Sequence, residues 1–474
     1  MAVRSGNQYL SSLSKGKEIW LDGEKIDDVR SNPTLKSTLD AFSRYYDLVN
    51  ESKHNQLLKF TSPSTGDLVS IFFQIPHSME DLERRRRALE FVTREFGGLL
   101  TRMPDYDQAL MVGLMNVKEE LGAENKAFAT NIEEYFVQMR ESDAMSVTTF
   151  NDPQINRGKG LEEQGALKIV DRRSNGIVVR GARTLVTNAP FANNLLCLRK
   201  PLPPDAVEFC NDFWIPMNTE GLKMICRPSL VGKDSSKGNT MAGRYDEIDA
   251  LMIFEDVFVP NENIFLIGRP DIANKTWSGI TSISPYHDHI RTMIKAELIL
   301  GITSLIVDYI GTSKFPAVMS NISEMIQYVE TLRTFAKAAE AQCVTTSSGL
   351  VVPNKLFLDL ARFYHHKSYP KMISLIHNLS GQSLLASVTT PYFERKEILP
   401  YLEKYFAGTN VSAQNKAKLF RLAWDIACDG FGGRQTMYEL FNAAAEHTLR
   451  DRLVKKVDRS PYVEMAKQIA GIDE

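Results

Sequence analysis

The sequence predicts an α+β protein in three parts: a mainly helical N-terminal domain, a small antiparallel β-barrel domain and a C-terminal helix bundle. Apolar residues recur at spacings of three and four up to about residue 145, and again after about residue 270. Between these regions the chain changes to short runs of branched residues separated by polar turns. We therefore expect domains at residues 1–145, 146–270 and 271–474.

The clearest helix of the first domain has both of its ends marked in the sequence. Ser78 is suited to cap the N-terminus, and Glu80 and Asp81 follow in the first turn, where the helix dipole favours acids. Gly97-Gly98 supplies the stop. The arginine run 84–87 is flanked by acids and predicts a solvated helix face.

The middle domain should begin with a hairpin. The runs "ALKIV" and "GIVVRGARTLVT" flank Asn175-Gly176, a pair that favours a tight hairpin turn. Short strands are also expected in "NNLLCL", "DFWIPM", "LKMIC" and "ALMIF". The stretch 199–218 could form a lid covered by Phe213 and Trp214, or could simply pack at a sheet edge. The polar stretch 231–247 is expected to be an exposed loop.

The third domain is predicted to contain at least four long helices. Apolar residues recur with helical spacing over 290–311, 322–343, 355–379 and 412–428, and short polar loops separate them. These stripes of methionine and aromatic residues are expected to be core. The histidine pairs at 287/289 and 365/366 lack companions at metal-ligand spacing, so surface, packing or hydrogen-bonding roles are expected rather than a metal site.

Composition excludes several classes of protein. The 474 residues are 43% hydrophobic and 24% charged with a net charge of −2, which gives no electrostatic reason to expect nucleic acid. Five scattered cysteines without a CxxC pair suggest buried, reduced thiols in the cytoplasm. The start has no apolar leader segment, and the most apolar stretch, 293–311, contains three charges, so no membrane span is expected. No GxGxxG, Walker A, HExxH or GxSxG motif occurs.

Several local motifs together identify a resemblance. In chain order they are "SGNQYLSSLSKGKEIWLDGEKIDDV", "PHSMEDLERRRRA", "RMPDYDQ", "NDPQINR", "GARTLVTNAPFANNLL", "RYDEIDALMIFEDVFVPNENIF" and "AWDIACDGFGGRQTMYE". Over nearly its whole length the chain resembles the 4-hydroxyphenylacetate 3-monooxygenase family, the oxygenase components of two-component flavin enzymes. The resemblance implies the acyl-CoA dehydrogenase-like fold, with flavin between the β domain and the bundle.

The resemblance assigns the substrate to the turn before the second long helix. In related monooxygenases the arginine and tyrosine of the RxPDY motif contact the phenol, and here these are Arg102 and Tyr106. A guanidinium can stabilise a phenolate or hydrogen-bond phenol and flavin together. The alternative is a surface turn in which Arg102 pairs with Asp105. Members that hydroxylate 4-hydroxyphenylacetate usually carry a histidine at the position of Thr148, which leaves the substrate open because threonine is no base near neutral pH.

The resemblance also implies residues for the flavin. Gln154 and Arg157 of "DPQINR" are expected to contact the ring or a phosphate, together with Arg102. Thr187 matches a threonine that approaches the ring, although an ordinary strand-end role is the alternative. The resemblance implies that the backbone approaches the cofactor at the remaining positions, but turns between helices are an equal alternative there. These positions are Gly381, Gln382, Gly432, Gly433 and Arg434.

The function implied is that of an oxygenase component. It would take FADH2 from a separate NAD(P)H-flavin reductase, react with O2 to give a flavin C4a-hydroperoxide, and hydroxylate a phenol ortho to its hydroxyl. A homodimer or homotetramer is implied. Alternatives with the same fold are a halogenated or carrier-bound phenol, N-oxygenation, a CoA ester, or a flavin-binding protein without turnover. The related 4-hydroxybutyryl-CoA dehydratase needs cluster cysteines in its N-terminal region, and none precedes Cys197 here.

Overall fold

The structure is a computed structural model that describes residues 3–232, 240–442 and 446–472. It confirms the α+β class, with a helical N-terminal region, a strand-rich middle and a helical C-terminal region. One buried apolar cluster extends from the N-terminal helices through the larger sheet to the C-terminal bundle. The site described below lies where these three parts meet.

The N-terminal region is mainly helical, as predicted. Its long helix α4 begins after the N-cap Ser78, whose hydroxyl accepts from the Asp81 N–H, and ends before Gly97 and Gly98, both at positive φ. The elements of this region are α1 (Gly6–Ser12), β1 (Glu18–Leu21), β2 (Glu24–Ile26), α2 (Pro33–Asn50), α3 (Asn55–Leu58), β3 (Lys59–Thr61), β4 (Leu68–Ser70), α4 (Met79–Glu95), α5 (Pro104–Asn116), α6 (Lys118–Leu121) and α7 (Lys126–Ser142).

The middle region contains the predicted hairpin and the other predicted strands. Its elements are β5 (Ser146–Thr149), β6 (Lys168–Arg173), β7 (Gly176–Thr187), β8 (Asn194–Cys197), β9 (Asn211–Pro216), β10 (Leu222–Cys226), α8 (Ala242–Tyr245), β11 (Asp249–Pro260) and β12 (Ile264–Ile267). β6 and β7 pair antiparallel around the Ser174-Asn175 turn. Of the expected exposed loop at 231–247, residues 233–239 lie outside the described part of the chain. Residues 240–247 contradict the prediction, because they include α8 and the buried acids Asp246 and Glu247.

The strands form two sheets that are not purely antiparallel. The larger sheet has the order β2-β1-β10-β11-β7-β6, and the smaller has the order β12-β9-β8-β5. β1 pairs parallel with β10, and β5 pairs parallel with β8. The prediction of an antiparallel barrel was wrong in this detail, because it considered neighbours joined by short turns. No short turn joins β1 to β10 or β5 to β8, so nothing local fixes the direction in which these strands pair.

The C-terminal region is a bundle whose long helices match the predicted ones. α10, α11 and α12 pack against one another, and the apolar stripe of α11 is buried. The elements are α9 (Pro270–Ile280), α10 (Ser284–Tyr309), α11 (Pro316–Ala341), β13 (Val344–Thr345), β14 (Val351–Val352), α12 (Lys355–Ser380), α13 (Gln382–Leu385), α14 (Leu399–Tyr405), α15 (Ala413–Ala427), α16 (Gly430–Phe441), α17 (Glu446–Lys456) and α18 (Ser460–Ala470). Within the described ranges, no helix is both long enough and apolar enough to span a membrane.

Three sequence predictions are corrected by the packing. Arg85, in the run expected to be solvated, is only 1% exposed and donates to the Phe72 carbonyl at 3.1 Å, since its helix position faces the bundle. The lid predicted at 199–218 contains β9, a central strand, in which Phe213 is buried and Trp214 stacks on a tyrosine ring. Cys428, expected to be buried, is exposed after the end of α15.

Candidate functional site

Arg102 and Tyr106 contact each other at the start of α5. Met103 is extended and Pro104 occupies the first helical position, so Arg102 lies in a fixed turn and Tyr106 in the first helical turn. The guanidinium carbon of Arg102 lies 3.5 Å from the centroid of the Tyr106 ring, a cation–π contact. The alternative pairing of Arg102 with Asp105 is wrong, because Asp105 bonds the buried His287 at 2.8 Å.

A carboxylate from the bundle holds this guanidinium in place. Asp288 of α10 accepts from Arg102 Nη1 at 3.2 Å and from Arg362 Nη2 of α12 at 2.9 Å. Among the residues that the structure describes, this is the one hydrogen bond made by the Arg102 side chain. The remaining N–H groups of Arg102 are available for an anionic or hydroxyl-bearing ligand.

The backbone beside Arg102 is fixed by a fully buried acid, Glu247. Its carboxylate accepts from the backbone N–H of Thr101 at 2.7 Å and of Arg102 at 2.8 Å. It also accepts from Asn188 Nδ2 at 3.0 Å and Arg434 Nη1 at 3.1 Å. One side chain therefore ties together the turn that carries Arg102, the end of β7 and α16.

Thr187 and Arg434 meet through a second acid, Asp249. The Thr187 hydroxyl donates to Asp249 Oδ1 at 2.6 Å, and Arg434 bonds both carboxylate oxygens, at 2.7 and 2.9 Å. Burial opposes the ionisation of Asp249, but the Arg434 charge outweighs it and lowers the pKa to about 2. The sequence motifs of β7 and α16, far apart in the chain, thus share one polar cluster.

Thr148 has a buried acidic partner that the sequence analysis missed. Its hydroxyl, on β5, donates to Oδ1 of Asp107, which lies in the first turn of α5 next to Tyr106. Burial raises the pKa of Asp107 to about 7, although the Thr148 hydrogen bond and the charge of Arg102 act in the opposite direction. The sequence feature that could have revealed this acid is the second aspartate of "RMPDYDQ", one residue after the tyrosine.

Four of the expected flavin residues stand apart from this cluster. Arg157 hydrogen-bonds Gln154, and both are exposed on the loop after β5. Gly381 and Gln382 are exposed between α12 and α13. In the described part of the chain, no hydrogen bond or ion pair joins either pair to Arg102, Thr187 or Arg434.

The two glycines of α16 occupy different surroundings. A Cβ added at Gly432 would lie 2.3 Å from the Ile426 carbonyl oxygen, so this glycine is required for close packing. A Cβ at Gly433 would meet no atom within 4 Å, and that residue is exposed. Of the two, Gly433 has a backbone that a ligand could reach.

Comparison with known proteins identifies the family of the chain. Residues 5–266 match the family described as "4-hydroxyphenylacetate 3-hydroxylase N terminal", and residues 276–471 match "4-hydroxyphenylacetate 3-hydroxylase C terminal". The chain belongs to the 4-hydroxyphenylacetate 3-hydroxylase family. The two matches cover both the turn that carries Arg102 and the helix that carries Arg434.

Relatives of the 4-hydroxyphenylacetate 3-hydroxylase family match along nearly their whole length. A 4-nitrophenol 4-monooxygenase/4-nitrocatechol 2-monooxygenase oxygenase component from Rhodococcus opacus is 31% identical, over 100% of this chain and 92% of the relative. A 4-hydroxyphenylacetate 3-monooxygenase oxygenase component from Thermus thermophilus is 29% identical, over 98% and 96%. A crystal structure of such an oxygenase component with FAD superposes with a TM-score of 0.93 at 29% identity, covering 98% of each chain.

The donors at the junction suit the FAD that this family implies. Arg102 has uncommitted N–H groups, and the Thr187 hydroxyl, which donates to Asp249, retains acceptor capacity. Gly433 leaves open space beside Arg434. These are the groups that a polar ring edge and an anionic cofactor need, so the residues present fit FAD.

Proposed function

We propose that the chain is the oxygenase component of a two-component monooxygenase that hydroxylates a phenol ortho to its hydroxyl. Reduced FAD, delivered by a separate NAD(P)H-flavin reductase, supplies the oxygen atom from O2. The observation that carries this proposal is the stacking of Arg102 on Tyr106. The next residue, Asp107, accepts from the Thr148 hydroxyl. A fixed cation stacked on a phenol suits recognition of a phenolic oxygen.

The substrate is proposed to bind through its hydroxyl. The Arg102 guanidinium stabilises the phenolate, which is the electron-rich form of the ring that attacks an electrophilic oxygen. Tyr106 hydrogen-bonds or packs on the ring, and Thr148 contacts the same hydroxyl. Because Asp288 and Glu247 hold Arg102 on its side chain and its backbone, the cation is oriented before substrate arrives.

The flavin is proposed to lie against the junction of the β domain and the bundle. Arg102, Thr187 and Arg434 would face its ring, and the Gly433 backbone would approach it closely. Gln154 and Arg157 would reach the cofactor from the exposed loop after β5, and Gly381 and Gln382 would approach it from the end of α12. Gly432 is removed from the proposed binding residues because packing accounts for it.

A homodimer or homotetramer is proposed on the basis of exposed apolar surface. α18 has no buried residue, and Ile469 is 84% exposed. Tyr405 of α14 and Phe441 of α16 are also exposed, at 74% and 61%. Apolar surface of this extent is typical of an interface with another chain.

The first test is a single turnover. The protein is mixed anaerobically with reduced FAD and one of several phenols, namely 4-hydroxyphenylacetate, 4-nitrophenol or a chlorinated phenol, and is then exposed to O2. A product heavier by one oxygen atom is expected, and its identity reports the substrate class. The matched control is the same mixture without protein, which oxidises reduced FAD and yields no hydroxylated ring.

Two outcomes would count against the proposal. Absence of product from every phenol, with reduced FAD bound and oxidised, would contradict phenol hydroxylation. Binding of a CoA ester in place of a phenol would instead support the alternative of a flavoenzyme acting on CoA esters.

A further inference from the structure

We propose that Asp107 accepts the phenolic proton of the substrate through the hydroxyl of Thr148, which makes these two residues a proton relay. This inference rests on the proposed function, since it assigns roles at the same phenol site. Asp107 would be the proton acceptor, and Thr148 would be the group that contacts the substrate.

The geometry gives the relay its direction. Asp107 is 4% exposed, whereas Thr148 is half-buried, so Thr148 is the more accessible of the two side chains. The hydroxyl of Thr148 donates to Asp107, which leaves the hydroxyl oxygen free to accept from a ligand. Asp107 directly follows Tyr106, so the acid and the tyrosine that would meet the substrate share one helical turn.

Burial, rather than the charges around it, allows Asp107 to hold a proton near neutral pH. The groups that face it are Arg102 in the preceding turn, Asp105 on its own helix and Tyr135 on α7. Burial raises the pKa of Asp107 to about 7, opposed by the Thr148 hydrogen bond and Arg102. A base whose pKa lies near the working pH is the most effective one for proton transfer.

The step involves only proton transfer. The phenolic O–H bond breaks as its proton moves to the Thr148 oxygen, and the Thr148 proton moves to the Asp107 carboxylate. Phenol and carboxylate become phenolate and carboxylic acid, and Thr148 ends as it began. Arg102 offsets the negative charge that appears on the phenolate.

Proton uptake on ligand binding tests the relay without turnover. At pH 8, the coloured 4-nitrophenolate ion is titrated into flavin-free protein. Calorimetry is done in two buffers of different ionisation enthalpy, and the difference in binding enthalpy gives the number of protons taken up per ligand bound. About one proton per site is expected to be taken up by the wild type, while the absorbance of bound ligand stays that of the phenolate. With Asp107→Asn, uptake is expected to fall to about zero because the acceptor is lost.

Three further variants separate the relay from a structural role. Thr148→Ser should retain the single-turnover hydroxylation rate and Thr148→Val should lower it, because Thr148 passes the proton on and does not keep it. The matched control is Asp212→Asn. Asp212 is a buried aspartate on β9, and burial raises its pKa to about 8. This variant should retain proton uptake. Uptake that is unchanged in Asp107→Asn, or absent from the wild type, would overturn the relay.

Turnover gives an independent readout. The single-turnover hydroxylation rate in the wild type should rise with pH around an apparent pKa of about 7, and Asp107→Asn should lose this rise. Unchanged pH dependence in that variant would contradict the relay while leaving the monooxygenase intact. Proton uptake by a protein that hydroxylates no phenol would instead retain the relay and contradict the proposed function.

Discussion

The two sides of the proposed flavin site are held in different ways. At the junction of the β domain and the bundle, Arg102 and Arg434 are tied to buried acids by hydrogen bonds of 2.7 to 3.2 Å. In the loop after β5, which we name the outer loop (150–167), Arg157 and Gln154 are exposed and bond mainly each other. The junction is oriented by the fold itself. In the outer loop, the buried Arg183 and Arg199 hold Asp152, but the hydrogen bonds of residues 154–164 stay between neighbours in the chain.

This difference suggests that the two regions have different roles in the reaction. Groups that stabilise charge during the reaction are most effective when they do not have to reorient, and the junction meets this condition. Groups that close over a cofactor after it arrives must be able to move, and Gln154 and Arg157 of the outer loop are exposed enough to do so. Reduced FAD that arrives from a reductase needs an open site first and a closed site afterwards.

Removing the buried acid of the junction should have the largest effect. Glu247→Ala leaves two backbone N–H groups, an amide and the Arg434 guanidinium without their acceptor. We expect the free energy of unfolding to fall by about 3–5 kcal/mol, measured by urea denaturation. In the outer loop, Glu163→Ala should change the free energy of unfolding by less than about 0.5 kcal/mol. Equal losses in the two variants would contradict the contrast between the regions.

Replacing the arginines tests catalysis rather than stability. Arg102→Lys keeps the charge but loses the planar fork, and kcat/KM for the phenol is expected to fall about 10²–10³-fold. Arg157→Lys in the outer loop is expected to cost less than about tenfold, since an exposed group can adjust. Arg180→Lys, in an exposed pair with Asp256, is the control and should leave kcat/KM unchanged. A larger loss from Arg157→Lys than from Arg102→Lys would reverse the assignment.

The adjacent glycines of α16 separate packing from cofactor approach. Gly432→Ala should destabilise the protein by about 1–3 kcal/mol, because its Cβ would lie 2.3 Å from a carbonyl oxygen. Gly433→Ala has open space and should stabilise the helix by up to about 1 kcal/mol. If the Gly433 backbone approaches FAD, the same variant should raise the Kd for FAD, measured by flavin fluorescence. An unchanged Kd would remove Gly433 from the site.

The buried acid beside Thr148 should make stability depend on pH. The folded protein keeps Asp107 protonated up to about pH 7, whereas the unfolded chain releases this proton near pH 4. The unfolded state therefore binds fewer protons between these values, and this residue's contribution to stability falls as pH rises. From pH 5.5 to 6.5 the wild type should lose about 1 kcal/mol more than Asp107→Asn.

Urea denaturation at the two pH values measures this difference. Asp256→Asn, at an exposed aspartate paired with Arg180, serves as the control and should follow the wild type. Parallel pH profiles for the wild type and Asp107→Asn would mean that Asp107 is already ionised in the folded protein.

Much of the local structure could be predicted from the sequence. The cap at Ser78, the stop at Gly97-Gly98 and the hairpin at Asn175-Gly176 each depend on the conformational preferences of a few neighbouring residues. The long helices of the bundle followed from apolar spacing. The RxPDY motif predicted a substrate role for Arg102 and Tyr106. The structure brings these two side chains into contact, and their substrate role stays a prediction.

The errors arose where a distant partner decides the environment. Arg85 belongs to a charged run, but the helix turns it toward the bundle, where carbonyl oxygens accept its N–H groups. Phe213 and Trp214 have the composition of a lid, but their strand lies at the centre of a sheet. Parallel pairing of β1 with β10 joins segments for which no local turn fixes direction.

The sequence by itself determined the fold class, the family and the motifs that carry Arg102, Thr187 and Arg434, because these follow from local periodicity and from runs of neighbouring residues. Only the tertiary structure placed Asp249 between Thr187 and Arg434, the latter 185 residues away in the chain. It also placed Asp107 against Thr148, 41 residues away, and buried the Asp107 side chain. Burial and hydrogen-bond partners set a group's charge, and both depend on which distant elements pack together.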